Sequence, residues 1–433
     1  MNTLALWLYS VLVWLAQPLL KRKLHRRAIQ EPGYGVAIEE RFGHYSSDPS
    51  QGWVWVHAVS LGETRAAAVL IEALRQQWPG MRLLLTHGTA TGREAGKALL
   101  QSGDVQVWLP WDAQDAVNQF LNHFQPRMGI LMETEVWPNL VHACAKKNIP
   151  LALVNARLNE KSLRKSLRLC CLAQPAFAAL HLVLAQTQDD AQRLKQLGAP
   201  VTAVLGNLKF DQAPSSEQLL SARLWRESRP AEAKPVVLLA SSREGEETLW
   251  LDAVQAVHAN VQWLVVPRHP QRFDEVAQLL VARGYDVQRK SRLGEAGFAD
   301  TSAGIWLGDT LGEMAWYYGI ADAALLGGSF LPLGGQNLIE ACACACPVIM
   351  GPHTFNFAQA SEWAEQAGAA LRVTDMGQAV NTAVQWCGDV AEQRNRSAKA
   401  LEFAQSQQGV ADATARHLQP LWAAQGAAPE RTV

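Results

Sequence analysis

The hydrophobic and polar positions divide the chain into an opening segment and two repeating stretches. The opening segment, Leu4 to Leu20, carries no charge and is mostly Leu, Val, Ala and Trp; the basic run Lys21-Arg22-Lys23-Leu24-His25-Arg26-Arg27 follows directly. Beyond it, short apolar runs recur at 53–58, 82–87, 105–109, 128–132, 151–154, 182–185 and 201–205, with helical patterns between them. Continuous rather than alternating apolar runs predict strands buried on both faces, so a parallel sheet sandwiched by helices. From Gln212 to Ala233 the strand character gives way to Ser, Pro and Glu. A second series then runs through 235–240, 261–266, 285–289, 304–307, 323–327, 347–350 and 370–373. The pattern predicts an α/β protein of two parallel-sheet domains of similar size with a cleft between them. The expected divisions are 1–27 for an anchor and its basic cluster, 28–215 and 216–421 for the two domains, and 422–433 for a disordered tail.

The opening segment reads as an uncleaved membrane anchor. A signal peptide places its positive charges first and ends in small residues, and this segment does neither. It sits at the lower limit for a spanning helix, so spanning the bilayer and lying in its interface both stay open. The basic cluster on its C-terminal side is expected to remain cytoplasmic and to keep the main body there.

Composition removes several classes. At 433 residues, with 48% hydrophobic and 18% charged residues, the chain suits two globular cores. Its net charge of -1 gives no reason to expect a nucleic-acid partner. Seven cysteines make no disulfide framework, and Cys342, Cys344 and Cys346, placed on a helix, would fan around its axis. CxxC and HExxH are absent, as are a Walker loop, a clean GxGxxG and an Asp-x-Asp pair, which argues against ATP hydrolysis, dinucleotide redox chemistry and a metal-bridged nucleotide diphosphate.

The chemistry gathers after the strands, where open α/β sheets bind their ligands. Ser60-Leu61-Gly62 is read as a turn ending at Glu63, in the first turn of a helix; there Glu63 either caps the helix or serves as a general base kept ionised by the helix end. Glu133 follows the apolar run Ile130-Leu131-Met132 and must be paired or sit at a cleft mouth. Lys209 is a salt-bridge partner or a cation for a substrate anion. Lys161, Arg164, Lys165 and Arg168 share a helical face, either solvated or turned to the phosphates of a membrane lipid. In the second series, Ser241 and Ser242 are expected to cap a helix with acids in its first turn. Arg268, between Pro267 and Pro270, presents a guanidinium suited to phosphate. The loop from Gly327 to Asn337, with two Gly pairs ahead of a helix, suits close approach of a nucleotide, and Glu340 one turn further can accept ribose hydroxyls.

Taken in order, these motifs resemble a known family. ERFG at 40–43, HAVSLGE ending at Glu63, METEVWPNL at 132–140, VNARLNEKS at 154–162, GNLKFD at 206–211, VPRHPQRF at 266–273, LGDTLGEM at 307–314, GGQNLIEA at 334–341 and GPHTFNF at 351–357 are similar to 3-deoxy-D-manno-octulosonic acid (Kdo) transferases. Family members often carry His at the position of Gln336 and Pro at that of Leu338. The resemblance implies a GT-B fold, two Rossmann-like domains facing an interdomain cleft. It implies an inverting, metal-independent glycosyltransferase without a cofactor, using CMP-Kdo as donor and lipid IVA as acceptor at the inner membrane, in lipopolysaccharide core biosynthesis. It assigns Glu63 as general base and Glu133 and Lys209 as transition-state aids. It places CMP on Arg268 and His269, on Leu311, Gly312 and Glu313, and on Asn337, Leu338, Ile339 and Glu340. Two other readings compete: another GT-B sugar-nucleotide enzyme, and a membrane-tethered nucleotide-sugar binder without catalysis.

Overall fold

The computed structural model describes residues 3–294, 298 and 304–424. It resolves into two units, Met1–Asp211 with Gly409–Val433, and Gln212–Gln408. In the first unit the strands are β1 (Val54–His57), β2 (Leu83–His87), β3 (Val105–Trp108), β4 (Met128–Met132), β5 (Leu151–Ala156), β6 (Leu182–Ala185) and β7 (Val201–Val204). They form one sheet in the order β3-β2-β1-β4-β5-β6-β7, every pair parallel. In the second unit β8 (Val236–Ser242), β9 (Gln262–Pro267), β10 (Val287–Arg289), β11 (Ile305–Leu307), β12 (Ala323–Leu326), β13 (Val348–Met350) and β14 (Ala370–Arg372) form a parallel sheet in the order β10-β11-β9-β8-β12-β13-β14. The expected α/β class with two Rossmann-like sheets is the observed one.

Every residue of β1, β2, β4, β5 and β6 is buried, which is why these strands read as unbroken apolar runs. Helices cover both faces of the first sheet, and two separate apolar clusters lie on its two sides. Gly129 on β4 is required by packing: a Cβ there would stand 2.7 Å from the Trp55 ring and 2.5 Å from Leu151.

Sheet order fixes where the chemistry sits. In the first unit β1 lies between β2 and β4, so the connection after β1 runs to one side of the sheet and that after β4 to the other. The second unit has the equivalent boundary between β8 and β12. At such switch points the loops diverge and leave a crevice for a ligand.

Several local expectations are corrected. Residues 409–421, assigned by sequence to the second domain, belong to the first unit. The helix Val410–Ala424 buries Val410, Ala411, Ala415 and Leu418 in the apolar cluster around Leu70 and Leu74. Trp422, placed by sequence in a tail, stacks on Trp78 with ring centroids 4.7 Å apart, and residues 425–433 of that expected tail lie outside the described residues. Ser60-Leu61-Gly62 is not a free turn: Ser60 is the N-cap and the helix begins at Leu61. Ser241 and Ser242 belong to β8, and the helix after them starts beyond Gly245, in the left-handed region, with no side-chain cap. The helix Leu338–Ala343 ends before Cys344, so the three thiols do not share a helix; Ala345, at φ 56°, turns the chain into β13.

The N-terminal helix is one element, Thr3–Gln30, continuing through the basic cluster. By length and composition it could cross a membrane.

Candidate active site

The first unit brings three carboxylates to the β1/β4 switch point. Glu63 comes from the helix after β1; Glu133 and Glu135 come from the turn after β4. Ser60 accepts a hydrogen bond from the Glu63 backbone N–H, and the Glu63 carboxylate accepts from Val59 N and from Ser60 Oγ, both at 2.9 Å. This is a variant of the capping box, in which the returning carboxylate accepts from the residue before the N-cap rather than from the N-cap itself. Glu63 therefore does cap its helix. Its location at the switch point also puts it beside other acids. The helix end alone predicts a low pKa, but burial raises that of Glu63, and the negative charge of Glu133 adds to the rise.

Glu133 is held in the left-handed region at φ 56° and is 4% exposed. Its Oε2 lies 2.6 Å from Arg157 Nε, which follows β5. The pairing expected for a buried carboxylate is thus supplied by the neighbouring strand. Glu135, two residues on, was not singled out by sequence. Its Oε2 accepts a hydrogen bond from Trp137 Nε1 at 2.9 Å and lies 3.9 Å from His57 Nε2. Burial, opposed by the Trp137 hydrogen bond, and the charges of Glu63 and Glu133 push it up to about 7. His57 is buried and pushed down to about 3, mainly by desolvation, so at pH 7 it is neutral.

Beside these acids lies a cavity of about 190 Å³ lined by apolar side chains and by Arg41, His57, Trp111, Asp112 and Glu135. Arg41 is 4% exposed; it stacks on the Trp108 ring at 4.0 Å and donates to Gly88 O. The ERFG motif is thereby explained: its arginine forms a wall of this cavity. Its place in the cavity wall, with His57, Asp112 and Glu135, could not be inferred from the motif alone.

Lys209 sits in the short turn Leu208–Asp211, which is tied to the end of β5 by Asn155 Oδ1 accepting from Leu208 N at 3.1 Å. Asn155 itself is buried at φ 51°. Glu133, Arg157 and the Lys209 turn are thus assembled around the ends of β4 and β5.

In the second unit, Glu246 organises the β8/β12 switch point. Its fully buried carboxylate accepts Arg243 N (2.9 Å), Gly328 N (2.6 Å) and Phe330 N (3.1 Å), fastening the glycine loop to the turn after β8. Gly327 has no room for a side chain: a Cβ would lie 2.4 Å from Ser241 O. Glu247 next to it takes both arms of Arg272, at 2.7 and 3.1 Å, which fixes the Pro-rich turn after β9. Sequence reasoning read these acids only as first-turn residues.

Arg268 and His269 are exposed on that turn, and Arg268 N donates to Ser242 O at 2.9 Å. Burial and the neighbouring Arg243 and Arg268 lower the pKa of His269. Leu311 is 71% exposed and Gly312 adopts φ 80°, while Glu313 accepts a hydrogen bond from Thr310 Oγ1. Asn337 caps the helix Leu338–Ala343, accepting from Ile339 N at 3.1 Å. The side chains of Leu338 and Ile339 are core, so these two positions offer a ligand only backbone. The helix is six residues long, which limits the dipole expected at its N-terminus. Glu340 stands in its first turn. Among the described residues no group of three or more His, Cys, Asp or Glu side chains is placed to hold a metal ion.

Residues 37–212 match the family model described as 3-deoxy-D-manno-octulosonic-acid transferase (kdotransferase). A Bordetella pertussis 3-deoxy-D-manno-octulosonic acid transferase is 44% identical over 97% of this chain and 97% of its own length. The chain belongs to the 3-deoxy-D-manno-octulosonic acid transferase family. A Haemophilus influenzae member is 33% identical over 90% of this chain and 92% of its own. Among solved structures, a glycosyltransferase from Rickettsia africae matches 87% of this chain and 100% of its own with TM-score 0.57 at 12% identity. The UDP-GlcNAc 2-epimerase from Neisseria meningitidis matches 86% and 99% with TM-score 0.55 at 14% identity. At these identities the likeness is one of fold. The chain has the GT-B fold expected of Kdo transferases, and its activity is that of a glycosyltransferase.

Proposed function

We propose that this Kdo transferase moves Kdo from CMP-Kdo to lipid IVA with inversion, in lipopolysaccharide core biosynthesis, with Glu63 as general base and without metal or cofactor. The observation that carries the reading is the desolvated Glu63 carboxylate at the β1/β4 switch point, beside the Glu133–Arg157 pair. A base of raised pKa accepts a proton more readily than an exposed glutamate and is still ionised when the pH exceeds that pKa.

In this reading Glu63 takes the proton of an acceptor hydroxyl as its oxygen bonds the anomeric carbon. The bond from that carbon to the CMP phosphate breaks on the opposite face, and its electron pair leaves with the phosphate. The centre is inverted, and the transition state resembles an oxocarbenium ion. Positive charge on the sugar is met by Glu133 and Glu135. Lys209 and Arg268 are the cations offered to substrate anions, Arg268 to the departing phosphate, where fixed charge lowers the barrier. His269, Leu311 to Glu313 and Asn337 to Glu340 complete the CMP contacts. The apolar N-terminal helix and its basic end suit an inner-membrane protein with its body on the cytoplasmic side, where a lipid acceptor is within reach.

The test is transfer from CMP-Kdo to lipid IVA by the wild type and by Glu63→Gln, with CMP binding measured for both. The reading expects a loss of at least about 100-fold with CMP affinity unchanged. Near-full activity in the variant would reduce Glu63 to a helix cap. Absence of wild-type product would remove the proposed donor or acceptor.

A further inference from the structure

We infer that the N-terminal helix does not cross the bilayer but lies along the first unit, with its outward face in one leaflet of an anionic membrane. The inference rests on the membrane reading above and not on the reaction.

The helix is attached to the first unit near both of its ends. Towards its start, Tyr9 hydrogen-bonds the buried carboxylate of Asp112, and Ser10 Oγ donates to Asn139 Oδ1 at 2.9 Å. Towards its end, Leu24 is buried, Lys21 pairs with Glu39 at 3.4 Å, and the Arg27 guanidinium lies 4.1 Å from the Tyr34 ring centroid. Between these points the partly covered positions Val13, Gln17 and Leu20 continue one helical face.

The opposite face is apolar and open: Trp7 is 60% exposed, Leu12 65%, Leu15 58% and Leu19 69%. A helix with apolar residues all round, one side on its own domain and the other uncovered, needs a second apolar phase along its length. The basic run that follows suits lipid phosphates at the edge of that phase. A spanning helix would need roughly 30 Å of hydrocarbon clear of the soluble body. The attachment sites at Tyr9 and Leu24 are fifteen residues apart, about 22 Å of helix by the usual rise. Both cannot stay docked while the segment between them crosses a bilayer.

Docking also reaches the active site. Asp112 accepts Asn139 N and Leu140 N at 3.0 and 2.8 Å, at the start of the helix Pro138–Lys146, and so anchors the end of the turn that carries Glu133 and Glu135. Asp112 and Leu140 line the cavity as well. The seat of the membrane helix is therefore a wall of the pocket beside Glu63.

The experiment uses the full chain with an epitope tag at its N-terminus, in intact spheroplasts and in inside-out membrane vesicles treated with protease. The in-plane arrangement expects tag and body to be cut together in inside-out vesicles and protected together in spheroplasts. A tag cut in spheroplasts while the body is protected would establish a spanning helix and overturn the inference. In the same vesicles, the Ser10→Cys/Asn139→Cys pair is oxidised, with each single variant as control. An intramolecular disulfide joining the two peptides is expected; its absence with the tag on the body side would refute docking on the first unit. An adduct of twice the chain mass, absent from both single variants, would mean that the helix docks on the first unit of a second copy, and would overturn docking on its own. Recovery of the chain in the soluble fraction alone would defeat the membrane reading itself, and leaves the Glu63 test standing.

Discussion

Arg157 Nε lies 2.6 Å from Glu133 Oε2, and both members of this pair act on the pKa of Glu63, which burial raises. Glu133 raises the pKa of Glu63 and Arg157 lowers it. With Glu63 as the proposed general base, which is lost when protonated, the rate is expected to fall as pH drops through its pKa. Replacing Arg157 with Gln should move that acid limb of kcat/KM to higher pH. Replacing Glu133 with Gln should move it to lower pH. Profiles of both variants that keep the wild-type limb would show that the limb belongs to another group.

Glu135 gives a stability prediction of defined sign. Its pKa in the fold is about 7, above the usual carboxylate value, because burial and the charges of Glu63 and Glu133 disfavour ionisation. A carboxyl raised in this way favours the folded state at low pH, and that contribution is lost as pH rises through 7. Glu135→Gln cannot ionise. Measured by urea unfolding, the variant should gain on the wild type between pH 5 and pH 8. Parallel pH curves for the two proteins would remove the desolvated acid from the account.

The carboxylate of Glu246 holds three backbone N–H groups in the second unit. Glu246→Gln places an amide NH2 where one set of these donors points, leaving at least one of them unsatisfied in a buried site. We expect a loss of about 1–3 kcal/mol in stability. CMP affinity, read by calorimetry at a temperature where the variant is folded, should fall with it, because the Gly327–Asn337 loop is released. Intact CMP affinity would separate this clamp from nucleotide binding.

Leu418 lies in the helix Val410–Ala424 yet is fully buried in the first unit. Leu418→Ala should cost about 2–5 kcal/mol. A fall in the denaturation midpoint should accompany loss of the Trp78–Trp422 stacking signal in near-ultraviolet circular dichroism. A midpoint within error of the wild type would mean that this helix does not belong to the first core.

The sequence by itself determined which segments are strands, because parallel strands buried on both faces leave unbroken apolar runs that need no knowledge of their neighbours. It also determined the family, since the motifs at the strand ends carry residue types in a fixed order. It marked Glu63 and Glu133 as unusual, one in a helix start and one after an apolar run. The tertiary structure decided what surrounds them. Glu63 and Glu133 meet because β1 pairs with β4, a contact between segments far apart in sequence that no local periodicity encodes. Arg157 comes to Glu133 from β5, the clamp roles of Glu246 and Glu247 depend on β8 lying beside β12 and β9, and the helix Val410–Ala424 returns to the first unit through Asp211, which accepts hydrogen bonds from Gly409 N and Ala411 N. Burial and hydrogen bonding are set by the neighbours that strand order brings together, so the protonation and pairing of these acids belong to the folded chain alone.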